Sequence, residues 1–309
     1  MLKIVRAGML TTVQDQGRHG FRALGISQTG ALDLPALQLA NLLVGNAPLT
    51  AALEITLGQF CAEFLREDWI ALTGAGCDAE LDGEKLWTGW RYRVKPGQRL
   101  VLKMPKRGMR SYLAVSGGFD VPEVLGSRST DVKAGIGGHQ GRALRDDDLL
   151  PLGTPHHLPR RPTGVKQLLF NNRVRAVPGP EYLEFSPAAR ESFWRTAWQI
   201  SPQSNRMGYR LHGHALERTT DREMLSHGLL PGVVQVPGNG QPIVLLADAQ
   251  TTGGYPRIAC IIEADLYHLA QIRLGEPIHF IKCTLEQAHQ AQAEQARFLQ
   301  QVQWGLHER

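Results

Sequence analysis

The chain is first defined by what it lacks. No run of about eighteen apolar residues occurs, so no membrane-spanning helix is expected, and the opening MLKIVRAGMLTTVQDQ has too short an apolar stretch for a secretory leader. Cysteine is scarce. The four present, Cys61, Cys77, Cys260 and Cys283, are scattered without a CxxC pair, which argues against a disulfide scaffold and fits reduced thiols in a cytoplasmic protein. There is no basic run either: 34 basic and 29 acidic residues leave a net charge of +5 spread along the chain, so nucleic acid is not an expected partner. The sequence also contains no GxxxxGK[ST] phosphate loop, no GxGxxG after a strand, no HExxH and no GxSxG elbow. No nucleophile with an evident base can be named, and the catalytic residues stay unassigned. The acidic run Asp146 to Asp148 lacks the spaced ligands of a calcium loop, and His156 and His157 have no cysteine or carboxylate at ligand spacing, so no metal site is expected.

What is present is globular and rich in turns. A length of 309 residues with 42% hydrophobic content suits two domains better than one core. The N-terminal half carries strand and tight-turn signals: EITLGQF, WIALTGAG, Asp82-Gly83, and RYRVKPGQRLVLKM around Pro96-Gly97. Helices are expected at 33–44, where Asp33 can cap and Pro35 fits the first turn, at 187–200, at 265–272 and at 284–304, where Thr284 and Gln287 have capping-box spacing. PHHLPRRPTGVKQ, residues 155–167, breaks the composition and marks the expected boundary between domains 1–160 and 161–309. Two short echoes, Arg18-x-Gly20-Phe21-Arg22 against Arg206-x-Gly208-Tyr209-Arg210 and PGQRLVLK against LGEPIHFIK, favour a duplicated β-domain.

Chemistry-bearing residues concentrate in glycine-rich loops. The densest stretch is QVPGNGQPIVLLADAQTTGGYPRIACII, residues 235–262, in which two apolar strands flank Gln250, Thr251, Thr252, Gly253, Gly254 and Tyr255. Adjacent glycines can turn successive N–H groups into an anion-holding nest; an ordinary tight turn, with Tyr255-Pro256 as a rigid or cis corner, is the alternative. A polar loop near the N-terminus brings Gln14, Asp15, Arg18 and Arg22 close in sequence, and a second groups Arg128, Ser129 and Asp131 ahead of Gly135, Gly137 and Gly138. Arg128 can offer donors to an anion or pair with Asp131 to pin its loop. Loops carrying arginines, amides and hydroxyls suit binding and polarising a small acidic or amide-containing molecule.

The succession TTVQDQGRHGFRALGISQTGALD, EITLGQF, SYLAVSGGFDVPEVLGSRSTDVKAGIGGHQGRAL, SNRMGYRL and QPIVLLADAQTTGGYPRIA resembles, in order and along nearly the whole chain, the KipA family, also called allophanate hydrolase subunit 2 or the biotin-dependent carboxyltransferase-like family. The resemblance implies a mainly β fold with a few helices, built as two cyclophilin-like β-barrel domains. It also implies work beside a KipI-like protein, joined in the 5-oxoprolinase branch by a LamB/YcsF-like protein. Such an assembly opens 5-oxo-L-proline to L-glutamate using ATP with a divalent cation. Other branches provide the carboxyltransferase part of urea carboxylase, or a KipA-like regulator of a KipI-like kinase inhibitor; the absence of an AMKM-like biotin-carrier motif speaks against the first of these. For a lactam carrying a carboxylate, Arg18, Arg128, Arg206 and Arg210 are the expected anion contacts. Gln14, Asp15, Ser129, Asp131, Tyr209, Gln250, Thr251, Thr252, Gly253, Gly254 and Tyr255 are the expected orienting groups.

Overall fold

The computed structural model describes residues 1–307. It is mainly β, with four α-helices among the described residues, and divides into two compact units. The first comprises residues 1–18, 29–169 and those from Arg297 onward; the second comprises 19–28 and 170–296. The composition break at 155–167 therefore lies inside the first unit, while His19–Gln28, from near the N-terminus, belongs to the second.

In chain order the first unit contains β1 (Leu2–Arg6), β2 (Leu10–Gln14), α1 (Leu34–Leu43), β3 (Ala52–Thr56), β4 (Phe60–Phe64), β5 (Asp68–Gly76) and β6 (Ala79–Leu81). There follow β7 (Glu84–Leu86), β8 (Trp90–Val94), β9 (Arg99–Leu102), β10 (Arg107–Val115), β11 (Leu149–Leu150) and β12 (Thr163–Gly164). They pair into two six-stranded antiparallel sheets, β11-β1-β4-β9-β6-β7 and β12-β8-β5-β10-β3-β2. One face of each sheet meets in a core containing Ile4, Phe60, Phe64, Leu53, Ile55 and Leu113. The other face of the second sheet, through Ala52, Trp69, Tyr112 and Ala114, receives Leu37, Ala40 and Leu43 of α1. A sheet covered on both faces needs apolar residues at most positions, which is why WIAL in β5 runs apolar without alternation, while in ALEIT the buried Glu54 is satisfied by the Tyr112 hydroxyl at 2.6 Å. The Asp33 carboxylate accepts the Ala36 N–H at 3.0 Å and Pro35 sits in the first turn, so α1 starts where its caps direct.

The second unit contains β13 (Arg173–Pro178), α2 (Pro187–Arg195), β14 (Trp198–Ile200), β15 (Gly208–His212), β16 (His227–Gly228), β17 (Val233–Gln235) and β18 (Ile243–Leu245). It continues with β19 (Thr252–Gly253), β20 (Arg257–Ile261), α3 (Leu266–Gln271), β21 (Pro277–Lys282) and α4 (Leu285–His307), whose residues beyond 296 are counted with the first unit. Seven strands close a barrel in the order β13-β20-β17-β18-β15-β14-β21, sealed by the parallel pairing of β13 with β21. β16 and β19 form a separate two-stranded ribbon. The helix expected at 187–200 stops at Arg195: Thr196 turns to an extended backbone with ψ 139°, and Trp198 and Ile200 point inward at β-spacing as part of the barrel. At the start of α4 the capping box forms in both directions, the Thr284 N–H donating to Gln287 Oε1 (2.9 Å) and the Gln287 N–H to Thr284 Oγ1 (3.2 Å).

The two sequence echoes have different fates. Gly97 and Gly275 both adopt φ 85° and each precedes a strand, β9 and β21. By contrast, Phe21 and Arg22 enter a short 3-10 turn, whereas Gly208, Tyr209 and Arg210 are part of β15. Among the described residues, no helix is long and apolar enough to cross a membrane.

Candidate functional site

The segment joining β18 to β20 is stitched to the residues that enter β15. The Leu246 N–H donates to the Met207 carbonyl (3.0 Å) and the Asp248 N–H to that of Arg206 (3.1 Å). Arg206 grips Asp248 with Nε on Oδ2 (2.8 Å) and Nη2 on Oδ1 (2.9 Å), both side chains under a tenth exposed. Arg206 is thus an internal pin at the root of the loop rather than the expected anion contact, because a buried guanidinium is held by the carboxylate facing it. Tyr209 is likewise corrected: it is fully buried, and its hydroxyl donates to the Leu269 carbonyl at 3.0 Å. Thr251 is buried with its carbonyl accepting the Leu229 N–H (2.9 Å), and Thr252 and Gly253 pair with Gly228 and His227 in the ribbon.

The anticipated nest does not form. Neither Gly253 nor Gly254 has a left-handed backbone, and the Tyr255-Pro256 peptide is trans. Space explains these glycines instead. A Cβ on Gly253 would lie 2.9 Å from Leu229 Cδ1 and 3.3 Å from Gln235 Nε2, and one on Gly254 would lie 2.8 Å from the Met224 carbonyl oxygen. The arm His19–Gln28 braces the same region: Arg22 Nη2 donates to the Leu229 carbonyl and Ser27 Oγ to that of Ala249 (3.1 Å). Burial lowers the pKa of Arg22.

Between this loop and the outer face of the barrel lies a cavity of about 570 Å³, wholly within the second unit. Arg210, Gln250 and Tyr255 line it, whereas Thr251, Thr252, Gly253 and Gly254 do not. Gln203, Asn205, Gln235, Asn239 and Gln241 add carboxamides and His212 an imidazole, while no carboxylate lines the wall. The sequence reading missed these amides. Gln235 had a signal, being the single polar residue in the strand run VVQV. Because polar walls without a competing acid leave a cation's charge available, the cavity is chemically suited to a small anion bearing amide-type groups.

In the first unit the structure does gather Gln14, Asp15, Arg18 and Ser129, but as a knot. Asp15 Oδ1 accepts from Ser127 Oγ (2.6 Å), Ser129 Oγ (2.5 Å) and the Gly17 N–H (2.8 Å), and Oδ2 accepts the Arg128 N–H (2.6 Å). Arg18, fully buried, donates to Thr29 Oγ1 (2.8 Å) and to the Ser129 carbonyl (2.6 Å). Gln14 Nε2 donates to Thr12 Oγ1 and the Thr130 carbonyl, leaving Oε1 buried with no partner. Arg128 and Asp131 do not pair: Arg128 Nε donates to the Val121 carbonyl (2.9 Å), and Asp131 Oδ1 accepts the N–H groups of Lys133 (3.1 Å) and Ala134 (2.9 Å). In these contacts Asp15 and Asp131 hold their own loops.

Elsewhere the acidic run is accounted for by its partners. Asp148 is held by Arg142, which lowers its pKa to about 2, and Asp146 accepts the Ala7 N–H at 2.8 Å. A larger cavity of about 770 Å³ in the first unit contains none of the expected site residues. Its buried Arg91 donates to the Leu43 carbonyl (2.9 Å), a cationic cap on the C-terminal end of α1. Among the described residues no three His, Cys, Asp or Glu side chains lie together as a cation site.

A closed barrel and a two-sheet unit in one chain, with an acid-free polar cavity, define a ligand-handling β scaffold. The chain belongs to the carboxyltransferase domain, subdomain A and B family, whose model matches residues 24–282. It is 66% identical over 307 residues to the C subunit of 5-oxoprolinase from Escherichia coli (strain K12), covering 99% of each chain, and 42% identical over 302 residues to that from Haemophilus influenzae, covering 98% and 97%. Among solved structures it is similar to the Kluyveromyces lactis urea amidolyase (TM-score 0.91, 28% identity), covering 97% of this chain and 20% of that one.

Proposed function

We propose that this chain is the C component of a cytoplasmic, ATP-dependent 5-oxoprolinase and helps activate 5-oxo-L-proline, by phosphorylation of the lactam oxygen, for hydrolysis to L-glutamate. The observation that carries the reading is the 66% identity, over 99% of both chains, to a protein of that name. The acid-free cavity supports it, because a lactam with a carboxylate calls for one cation and several amide groups. In this reading a KipI-like protein and a LamB/YcsF-like protein complete the site as its other two components, as suits a cavity whose wall offers no carboxylate. The complex consumes ATP with a divalent cation. No step assigned to this chain's residues runs through that group, since no carboxylate lines the cavity.

The test is reconstitution with both partner types: ATP-dependent glutamate release from 5-oxoproline by the three-part mixture and none by this chain alone. Turnover by the isolated chain would overturn the division of labour. The fold likeness to a urea amidolyase favours a second reading, the carboxyltransferase component of a biotin-dependent urea carboxylase-type enzyme. That reading requires urea carboxylation dependent on a biotin carrier. A KipA-like regulator would support neither turnover.

A further inference from the structure

The floor of the second-unit cavity is a single cross-strand row. On β15, Arg210 stands opposite Ile243 of β18, and Ile243 stands opposite Gln235 of β17. Directly opposed residues of antiparallel strands put their side chains on the same face, and neighbouring strands lie about 4.8 Å apart, so Arg210 and Gln235 flank Ile243 with backbones roughly 10 Å from one another. The inward row alongside, Tyr209, Val244 and Val234, is fully buried in the barrel, which fixes the outward direction of the cavity row.

The two ends of the row are chemically incomplete in complementary ways. Arg210 is exposed to the cavity, and its guanidinium makes no ion pair or hydrogen bond among the described residues, while no acid lines the wall around it. Gln235 is only 1% exposed. Its Nε2 donates to the Tyr255 carbonyl at 3.3 Å, and since a carbonyl only accepts, that contact fixes which end of the carboxamide is nitrogen. Oε1 then turns the other way, with no protein donor on it. A guanidinium at one end asks for a carboxylate; an acceptor oxygen at the other asks for an N–H; the half-buried Ile243 between them offers an apolar surface for the carbon skeleton.

We infer that this row is the substrate-reading floor of the cavity: it binds a small carboxylate whose neighbouring amide or lactam nitrogen carries a hydrogen, Arg210 taking the carboxylate and Gln235 Oε1 the N–H. The inference rests on the function proposed above, and it names residues and a ligand polarity which that reading leaves open. It also bears on Gly253, where a Cβ would lie 3.3 Å from Gln235 Nε2 and displace the carboxamide slightly.

The test uses the full chain and ligand-observed NMR saturation transfer with three probes: 5-oxo-L-proline, 2-pyrrolidinone, which lacks the carboxylate, and N-methyl-5-oxoproline, which lacks the N–H. Wild type should bind the first at least roughly tenfold more tightly than either of the others, the expected loss for one hydrogen bond to a charged group or one orphaned buried acceptor. Arg210→Met should remove the preference for 5-oxo-L-proline over 2-pyrrolidinone, and Gln235→Leu the preference for the N–H form over the N-methyl form, each with its melting temperature near wild type. Equal binding of all three probes, absence of binding by folded wild type, or unchanged preferences in both folded variants would overturn the assignment. Failure of the two ideas is separable. Arg210-dependent binding without glutamate release by the reconstituted complex would remove the 5-oxoprolinase reading and keep the site, whereas full turnover by a complex containing Arg210→Met would remove the site and keep the reading.

Discussion

Asp248→Ala is the sharpest probe of how the site loop is held. In the native chain Asp248 accepts two parallel charge-assisted hydrogen bonds from Arg206, 2.8 and 2.9 Å, with the two side chains 9% and 6% exposed. Deleting one partner of a buried pair leaves the other charge uncompensated and costs about 3–5 kcal/mol. For a cooperative unit of this size each kcal/mol lowers the melting temperature by about 2–4 °C, so a fall of roughly 10 °C is expected. Much of the cost is the loss of both charge-assisted bonds at a buried guanidinium, so Arg206→Met combined with Asp248→Leu should recover part of the loss, apolar replacement of a buried pair being near neutral. Thermal melts by circular dichroism on both single variants and the double variant complete the cycle. An Asp248→Ala chain melting within about 2 °C of wild type would refute the claim that this pair pins the loop.

Four further outcomes follow from particular contacts. Gly137→Ala should destabilise the first unit strongly, because its Cβ would sit 2.1 Å from both Ser129 O and Arg18 Nη2 at φ 71°; soluble, wild-type-like melting would show the Asp15–Ser129–Arg18 knot to be loose. Gly253→Ala should weaken binding of 5-oxoproline more than it lowers the melting temperature, since it pushes on Gln235 without entering a forbidden backbone region, and a pure stability loss would count against that route. Thr252→Val, exposed and outside the cavity, should leave turnover of the complex within about twofold, where loss of an oriented catalytic donor typically costs about a hundredfold or more. Burial lowers the His268 pKa from 6.5 to about 4, against the pull of Asp265 and with Arg175 adding to the fall, and its Nδ1 accepts the Asn171 N–H at 3.3 Å. The stability held by neutral His268 is therefore complete above about pH 6.5 and lost as pH falls through 4; melts across that range should show a steeper decline in wild type than in His268→Gln.

Local signals were legible in the sequence wherever a single residue type decides the geometry. Asp33 and Thr284 announced their helices through capping, and the β-character of 53–104 could be read from its turns. The end of α2 was not legible, because Trp198 and Ile200 fit a helical face as well as a strand and barrel closure decided between them. At the site, the loop 248–256 was identified from its composition, yet the roles within it were not. Arg206 and Arg210 are indistinguishable in SNRMGYRL. Arg206 lies beside Asp248 and becomes an internal pin, while Arg210, two positions into β15, points outward into a cavity without acids. Gly253 and Gly254 correctly marked close approach, but the approaching groups are side chain and backbone of this chain rather than an anion. Asp15 looked like a functional carboxylate because nothing in sequence shows that Ser127 and Ser129, more than a hundred residues away, fold onto it.

The central claim is that this chain is a required part of a 5-oxoprolinase. Its most direct test is to titrate the purified chain into fixed amounts of a KipI-like and a LamB/YcsF-like partner, with ATP, magnesium and 5-oxo-L-proline, while following glutamate. The account predicts no release without the chain and a rate that climbs with it to a stoichiometric plateau. A rate already at its plateau before any chain is added, or none at any amount, would contradict it.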